Sequence, residues 1–414
     1  MLTVEEAIET ILRDIVPLET VEVPLTDAFG YVLAQDLYAD MDNPPFDNSA
    51  VDGYALFWED VQSASEDAPV YLVEVGEVPA GGVAERSLQR GQCMRVMTGA
   101  PIPDGANAMV MVEDTRRDPR GVAVTAPVRP GNHIRRRGED VREGAHILSP
   151  GTHLGAAEVA MLAAMGCSAP RCYRRPKVAV ISTGDELVEP ARKPGPGQIR
   201  DCNRYALAAL VAEAGAELHS ITHLPDDEAR TEAWFRACAG LDGSDPADVI
   251  VTSGGVSVGD RDFVKPALER LGTLEMWKVR MKPGKPIAFG RIAETCFFGL
   301  PGNPVSTMVT FELFVRPALW KLSGRKQLQR QIVPVRLNGE VRRSAGRREY
   351  IRATVRWKDD RFEATPTGSQ GSGILSSMLE ANGLVVIPEE ASHIAAGTVL
   401  PAIILSLPAP ESSN

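Results

Sequence analysis

Three glycine-rich segments in the second half of this chain follow short apolar runs. They are STGDEL (182–187), TSGGVSVG (252–259) and LPGNPVS (300–306). At the carboxyl ends of strands, such loops present backbone N–H groups and helix starts to anions. Glycines that only make tight turns would account for one such loop; three in one region favour a site for a phosphorylated ligand. The candidate contacts are Thr183, Gly184 and Asp185 in the first loop, and Ser253, Gly254, Gly255 and Ser257 in the second. Pro301, Gly302, Asn303 and Pro304 are those of the third. None of the loops matches GxGxxG or GxxxxGK[ST], which argues against a dinucleotide fold and a P-loop NTPase. Between the second and third loops lies WKVRMKPGKP (277–286), whose lysines Lys278, Lys282 and Lys285 surround a Pro-Gly turn and suit an anion clamp. Carboxylates flank the same loops: Asp185, Glu186, Asp226, Asp227, Asp260 and Asp262. Some are expected to cap helices, Asp262 and Asp201 foremost. The others suit Mg²⁺, which needs few protein oxygens when phosphate supplies the rest.

The first half carries loops dense in polar turn formers: PPFDNSAVDGY (44–54), MTGAPIPDGA (97–106) and RGEDV (137–141). Read alone, they are loops with carboxylates. His219 and His223 are four apart on a predicted strand, share no helical face, and are assigned no metal.

These loops need elements to position them. TVEEAIETILRDIV (3–16) has apolar residues at 4, 7, 8, 11, 12 and 15 behind a Thr, a capped amphipathic helix. From 43 to 140 the chain is rich in Gly, Pro, Val and Asp with short strand-like runs, and reads as a small β domain. LGAAEVAMLAAMG (154–166) reads as a helix packing with the N-terminal one, which makes the β domain an insertion. Beyond Pro176 the pattern alternates. KVAVIST, ELHSITHL, ADVIVTS and TCFFGL are strands, with helices between them and a long helix from Pro304 to Leu322. That alternation predicts a parallel, doubly wound sheet. From 331 short strands return, including EYIRATVRW (349–357), which puts Tyr350, Arg352, Thr354 and Arg356 on one face. The expected architecture is α/β and multidomain. A split helical part (1–42 and 141–175) carries the inserted β domain (43–140), and a doubly wound α/β domain (176–325) and a C-terminal β barrel (331–408) follow.

Composition closes off other classes. The 414 residues carry 44 Lys+Arg against 55 Asp+Glu, a net charge of -11, which speaks against a general nucleic-acid binder. Six cysteines form no CxxC pair, against a zinc ribbon or disulfide framework. No apolar run reaches the ~20 residues of a membrane helix. The acidic start, MLTVEEAIET, lacks the basic region of a signal peptide, so a cytoplasmic location is expected. Charge is uneven: residues 1–74 hold one basic residue, Arg13, against 17 acidic ones, whereas 321–361 hold 13 basic against 4 acidic. Facing surfaces of opposite sign, within a chain or between subunits, would fit a site that handles anions.

Taken in order, DNSAVDGYA, MTGAPIPDGA, RGEDV, STGDEL, TSGGVSVGDRD, MKPGKP and LPGNPVS resemble the MoeA family of molybdopterin molybdenumtransferases, to which the gephyrin C-terminal domain belongs. The resemblance implies an enzyme that takes adenylylated molybdopterin and molybdate, places molybdenum on the dithiolene and releases AMP with Mg²⁺. It implies a homodimer, with the adenylyltransferase of the same pathway as a candidate partner and neither nucleic acid nor membrane. Carried over by motif, the catalytic set is Asp52, Thr98, Asp140, Glu186, Asp226, Asp262, Lys278 and Lys282, with Glu186, Asp226 and Asp262 around the metal. Arg352 and Ser372 are carried over as barrel contacts. Arg261 stands where the family often has a small residue. A lone adenylyltransferase would lack the flanking domains, and a gephyrin-like scaffold would carry a further fused domain.

Overall fold

The computed structural model describes residues 1–254 and 263–407. By internal contacts the chain divides into two compact units. The first takes Met1–Gln35, Pro150–Ala157 and Ala169–Asn414; the second takes Asp36–Ser149 and Glu158–Ser168.

In the first unit, the N-terminal helix spans Val4–Arg13. The Thr3 hydroxyl accepts the Glu6 N–H at 3.1 Å, and the Thr3 N–H donates to the Glu6 carboxylate at 2.7 Å. Both halves of a capping box are therefore made. The helix buries Val4, Ala7 and Ile11 in the α/β core. It packs on the segment Phe311–Leu322.

The α/β part holds six strands in the order Glu217–Leu224, Lys177–Thr183, Val249–Ser253, Thr295–Leu300, Pro286–Ile292, Thr273–Lys278. The first four run parallel. These are the four strands expected; the last two, which the sequence reading did not assign, join antiparallel. Only Ala293 and Glu294 separate Ile292 from Thr295. A two-residue link turns the chain straight back, whereas a parallel partner needs a crossover of a dozen residues or more.

Side-chain alternation buries both faces of this sheet. Val178, Val180, Val249, Val251 and Phe298 pack with the helix Asn203–Glu213 and the long C-terminal helix. Ala179, Ile250 and Phe297 pack with the helices Glu228–Cys238 and Val264–Leu271. The long helix runs as predicted from Pro304 to Leu322, with a π turn at Phe311–Val315. At that turn the carboxylate of Glu312, 5% exposed, accepts Arg316 Nε at 2.7 Å and Arg330 Nε at 2.6 Å. Burial pushes its pKa up, but the hydrogen bonds and charges of Arg316 and Arg330 outweigh that and hold it below the usual carboxylate value.

The C-terminal part is a closed five-stranded barrel. Arg348–Lys358, Arg361–Pro366, Ile332–Leu337, Val399–Ile404 and Gly383–Ile387 pair in turn, and the last returns to the first. Ile351, Ala353 and Val355 fill its interior together with Val335, Leu337 and Ala402. The short strand Met281–Lys282 adds to the barrel, in parallel with Arg348 and Glu349. The lysine-bearing turn of the α/β part is thereby fastened to the barrel.

In the second unit, a six-stranded sheet has the order Ala108–Met111, Gly53–Leu56, Gln92–Val96, Val70–Val78, Gly121–Val124, Thr115–Asp118. Apolar clusters form around Tyr54, Leu56 and Val110 and around Ala55, Met94 and Met109. Among the described residues, no helix is long and apolar enough to cross a membrane.

Candidate active site

The site of the first unit begins where the parallel strands end. In strand order the sheet reverses between Lys177–Thr183 and Val249–Ser253, and ligands of open α/β sheets bind outside the carboxyl edge at such a point. The loops there are tied to one another. Asn203 Nδ2 donates to Ser253 Oγ at 2.8 Å and to the Gly302 carbonyl at 2.7 Å. Thr307 Oγ1 donates to the Pro301 carbonyl at 2.5 Å. A Cβ built on Gly302 would lie 3.8 Å from Gly254 Cα, so the second and third glycine loops meet there.

Beside these loops lies a cavity of about 690 Å³, lined by Gly254, by the turn 281–286, by Pro301, Gly302, Asn303 and Ser306, and by Arg347, Gln370, Gly371 and Ser372 of the barrel part. Lys282, Lys285 and Arg347 contribute three cations, and no carboxylate is among its described lining residues. The barrel side is hydrogen-bonded to the third loop: Asn303 Nδ2 donates to Ser372 Oγ at 3.0 Å, and Val305 N–H donates to the Ser372 carbonyl at 3.1 Å.

The lysines of this segment are placed differently with respect to the cavity. Lys278 ends an exposed strand, pairs across the sheet with Pro286, and does not line the cavity. Lys285, at the other end of the turn, does line it. A spacing of four aligns residues on a helix, but this segment is a strand end followed by a turn, where Lys282 and Lys285 come to one side. The turn depends on Gly284, which has φ +89°; a Cβ there would stand 2.4 Å from Thr310 Cγ2. Lys282 is also held from the barrel. Its Nζ lies 2.8 Å from Oε1 of the buried Glu349, while 45% of the lysine side chain stays exposed.

Arg352 occupies its expected strand but is 1% exposed rather than part of a basic surface. Its guanidinium donates to the carbonyls of Gln370 at 3.2 Å and Gly371 at 3.0 Å, and to Ser377 Oγ at 3.0 Å. Burial lowers its pKa. Alternation gave its face correctly; the loop that folds over that face decided its burial. Arg352 therefore holds the loop whose Gln370, Gly371 and Ser372 line the cavity.

The first glycine loop carries the carboxylates. Gly184 has φ +135°, and the space its missing side chain leaves is taken by the Glu186 carboxylate, 2.4 Å from where a Cβ would be. Asp185 Oδ1 accepts the Asp226 N–H at 3.2 Å, joining this loop to the segment after Leu224. Of the Asp226–Asp227 pair, Asp227 is the helix cap, accepting the Arg230 N–H at 2.8 Å. Among the described residues, no group of three or more His, Cys, Asp or Glu side chains forms a ready metal site. Gly255, Ser257, Asp260, Arg261 and Asp262 lie outside the described residues.

Asp52, Thr98 and Asp140 belong to the second unit. Asp52 Oδ1 accepts both the N–H and the hydroxyl of Thr98 at 2.7 Å, and these bonds hold its pKa below the usual carboxylate value. Asp140 Oδ2 accepts Asn43 Nδ2 at 2.9 Å. The carboxylates thus tie distant loops of this unit together: Asp52 joins its loop to the one at Thr98, and Asp140 joins its loop to the segment at Asn43.

The sequence reading passed over Asn203, Arg347 and Gln370. Asn203 looks like an ordinary residue at a helix start, and Arg347 is one of many in a basic run. The signal that could have found Asn203 is its place two residues after Asp201, itself bonded to Ser182 of the strand Lys177–Thr183.

Comparisons with known proteins agree over nearly the whole chain. Residues 2–166 match the family description "MoeA N-terminal region (domain I and II)". Residues 179–321 match "Probable molybdopterin binding domain", and residues 334–405 match "MoeA C-terminal region (domain IV)". A molybdopterin molybdenumtransferase of Haemophilus influenzae is 36% identical over 404 residues, covering 96% of this chain and 97% of that protein. A molybdopterin molybdenumtransferase 2 of Mycobacterium tuberculosis is 40% identical over 388 residues, covering 92% and 94%. The crystal structure of the molybdopterin biosynthesis moeA protein from Pyrococcus horikoshii OT3 superposes with a TM-score of 0.80 at 34% identity, covering 98% of this chain and 100% of that one.

Proposed function

The chain belongs to the MoeA family, and from that premise we propose that it is a molybdopterin molybdenumtransferase that joins molybdate to adenylylated molybdopterin and releases AMP. The observation that carries the reading is the cavity with Lys282, Lys285 and Arg347 and no carboxylate among its described lining residues. Molybdate is a dianion, and charge-assisted contacts to it are the strong kind. Ser372 and Gln370 add hydroxyl and amide donors at the same cavity. The pyrophosphate of the other substrate is assigned to the loops at Thr183–Asp185 and Ser253–Gly254, beside Asn203. In this reading the two dithiolene sulfurs replace two oxo ligands of molybdate, which leave as water with the thiol protons and protons from solvent; one water adds across the phosphoanhydride bond as it breaks, and AMP leaves with no change of oxidation state. Incubation with adenylylated molybdopterin, Mg²⁺ and molybdate is expected to yield AMP in proportion to molybdate. AMP release that ignores molybdate, or none at all, sinks the reading.

Mg²⁺ is assigned to Glu186 and Asp226, with Asp262 as a third candidate outside the described residues. The donor set fits. These are hard oxygens, and Mg²⁺ is satisfied by one or two carboxylates when phosphate oxygens supply the rest. When bound, the ion neutralises charge on the phosphoanhydride. Glu186→Gln is expected to lower turnover and raise the Mg²⁺ concentration needed for half-maximal rate. A lost cap would instead cost ~1 kcal/mol of stability and leave turnover alone. Normal activity with an unchanged Mg²⁺ response removes Glu186 from the metal.

The protein is further proposed to act in the cytoplasm as a homodimer, with Asp52 serving the partner's site and the adenylyltransferase of the pathway as its supplier. Support for the dimer comes from the charge map: an almost wholly acidic segment 1–74 and a basic one at 321–361 attract within a Debye length, ~8 Å at physiological salt. Mixing Asp52→Ala with Lys282→Ala subunits is expected to restore activity, since each heterodimer regains one intact site. A mixture that stays dead after proven subunit exchange means that Asp52 serves its own chain.

A further inference from the structure

A second cavity of the first unit, about 550 Å³, shares no lining residue with the Lys282 cavity. It opens at the end of the long helix and is lined by Trp320, Arg325, Lys326, Gln329, Arg330 and Ser406 among others. Its cations differ in how they are matched. Arg330 is committed, donating to Glu312, to Glu213 and to the Leu405 carbonyl. Arg325 and Lys326 pair with no carboxylate among the described residues. What faces Arg325 is the Trp320 ring, 4.9 Å from Cζ to the centroid, and the carboxyl end of the helix Asn203–Glu213 at Gly215. A helix end supplies only ~0.5 of a negative charge. The formal charge that acts on Arg325 is another cation, Arg316. Burial first and Arg316 second lower the Arg325 pKa. A half-buried guanidinium set against a like charge leaves a local deficit of negative charge, and such deficits are met by pairing.

We propose that this cavity is a second oxyanion site, which takes a phosphate group, free or as an ester, on Arg325 and Lys326. The Gln329 amide and the Ser406 hydroxyl supply neutral donors at its wall. A planar guanidinium fork beside a flexible ammonium suits a tetrahedral oxyanion better than a single lysine would. The proposal is independent of the reaction assigned to the Lys282 cavity.

Calorimetry on the full chain tests it, in a Lys282→Gln, Lys285→Gln, Arg347→Gln background that discharges the first cavity. Inorganic phosphate and phenyl phosphate are the probes. One equivalent of saturable binding is expected, weakened tenfold or more by Arg325→Gln and by Lys326→Gln, and weakened by added salt. Tighter phenyl phosphate assigns the site to an ester; equal affinity assigns it to free phosphate. Lys326 is exposed, so Lys326→Gln reads the site even where Arg325→Gln disturbs folding. Absence of saturable binding in the background chain, or binding unchanged by Lys326→Gln, overturns the proposal.

Discussion

Removing the Lys282 charge is expected to raise the molybdate concentration needed for half-maximal turnover by about 10- to 150-fold, and Lys285→Ala to do the same. That range follows from ~1.5–3 kcal/mol for a hydrogen bond to a charged group. Both lysines line the cavity that the Pro283–Gly284 turn and the barrel enclose. Lys278→Ala is the internal control. It removes the same charge from an exposed strand outside the cavity, and its saturation curve is expected to match the parent within a factor of two or so. Lys282 also has a partner, Glu349, 2.8 Å away, so the position of its ammonium group depends on the barrel. Steady-state molybdate titrations of the three variants decide the matter. A larger effect at Lys278 than at Lys285 would return the assignment to the four-residue spacing read from the sequence.

Glu312→Ala is expected to be the most destabilising single change in the first unit, by about 3–5 kcal/mol, because it leaves buried cations without their carboxylate. Arg316 has a side-chain exposure of 2%, and Glu312 is its close partner at 2.7 Å. Arg330 donates to the same carboxylate. Replacing one partner costs more than the pair itself contributes, since the desolvated charge stays behind. The sign of the pH dependence follows from the depressed carboxyl pKa of Glu312. Its contribution is complete above the unfolded-state value, ~4.3, and is lost as pH falls through the lower folded-state value. Urea unfolding of the parent and of Glu312→Gln at neutral pH and again below pH 4 measures this. A gap between the two proteins that stays the same in acid shows that the charge of Glu312 is not what stabilises this turn.

Glu312 also marks a limit of sequence reading. The segment FELFVRPALW reads as one long helix, and it is one. Nothing in its spacing announces a π turn or says that Glu312 faces inward, because the partners are Arg316 on the same helix and Arg330 beyond its end.

What the sequence determined by itself is local or modular. The capping box at Thr3 and Glu6 needs only neighbouring residues. The apolar runs KVAVIST and TCFFGL are buried on both faces and could hardly be other than central strands. The ordered motif loops, from DNSAVDGYA to LPGNPVS, identify the family because each keeps its own turn chemistry wherever it sits. Tertiary structure decided the rest, because it depends on contacts between distant segments. The two-residue link at Ala293–Glu294 reverses the sheet, and Lys282 and Lys285 come to line one cavity with the loop at Pro301–Asn303. Pairing of Met281–Lys282 with Arg348–Glu349 brings the barrel to the cavity, so Arg347 and Gln370 line it. The loop 369–371 buries Arg352, which alternation alone leaves facing solvent. Periodicity records which way a side chain points relative to its own backbone; what it meets there is set by segments tens or hundreds of residues away.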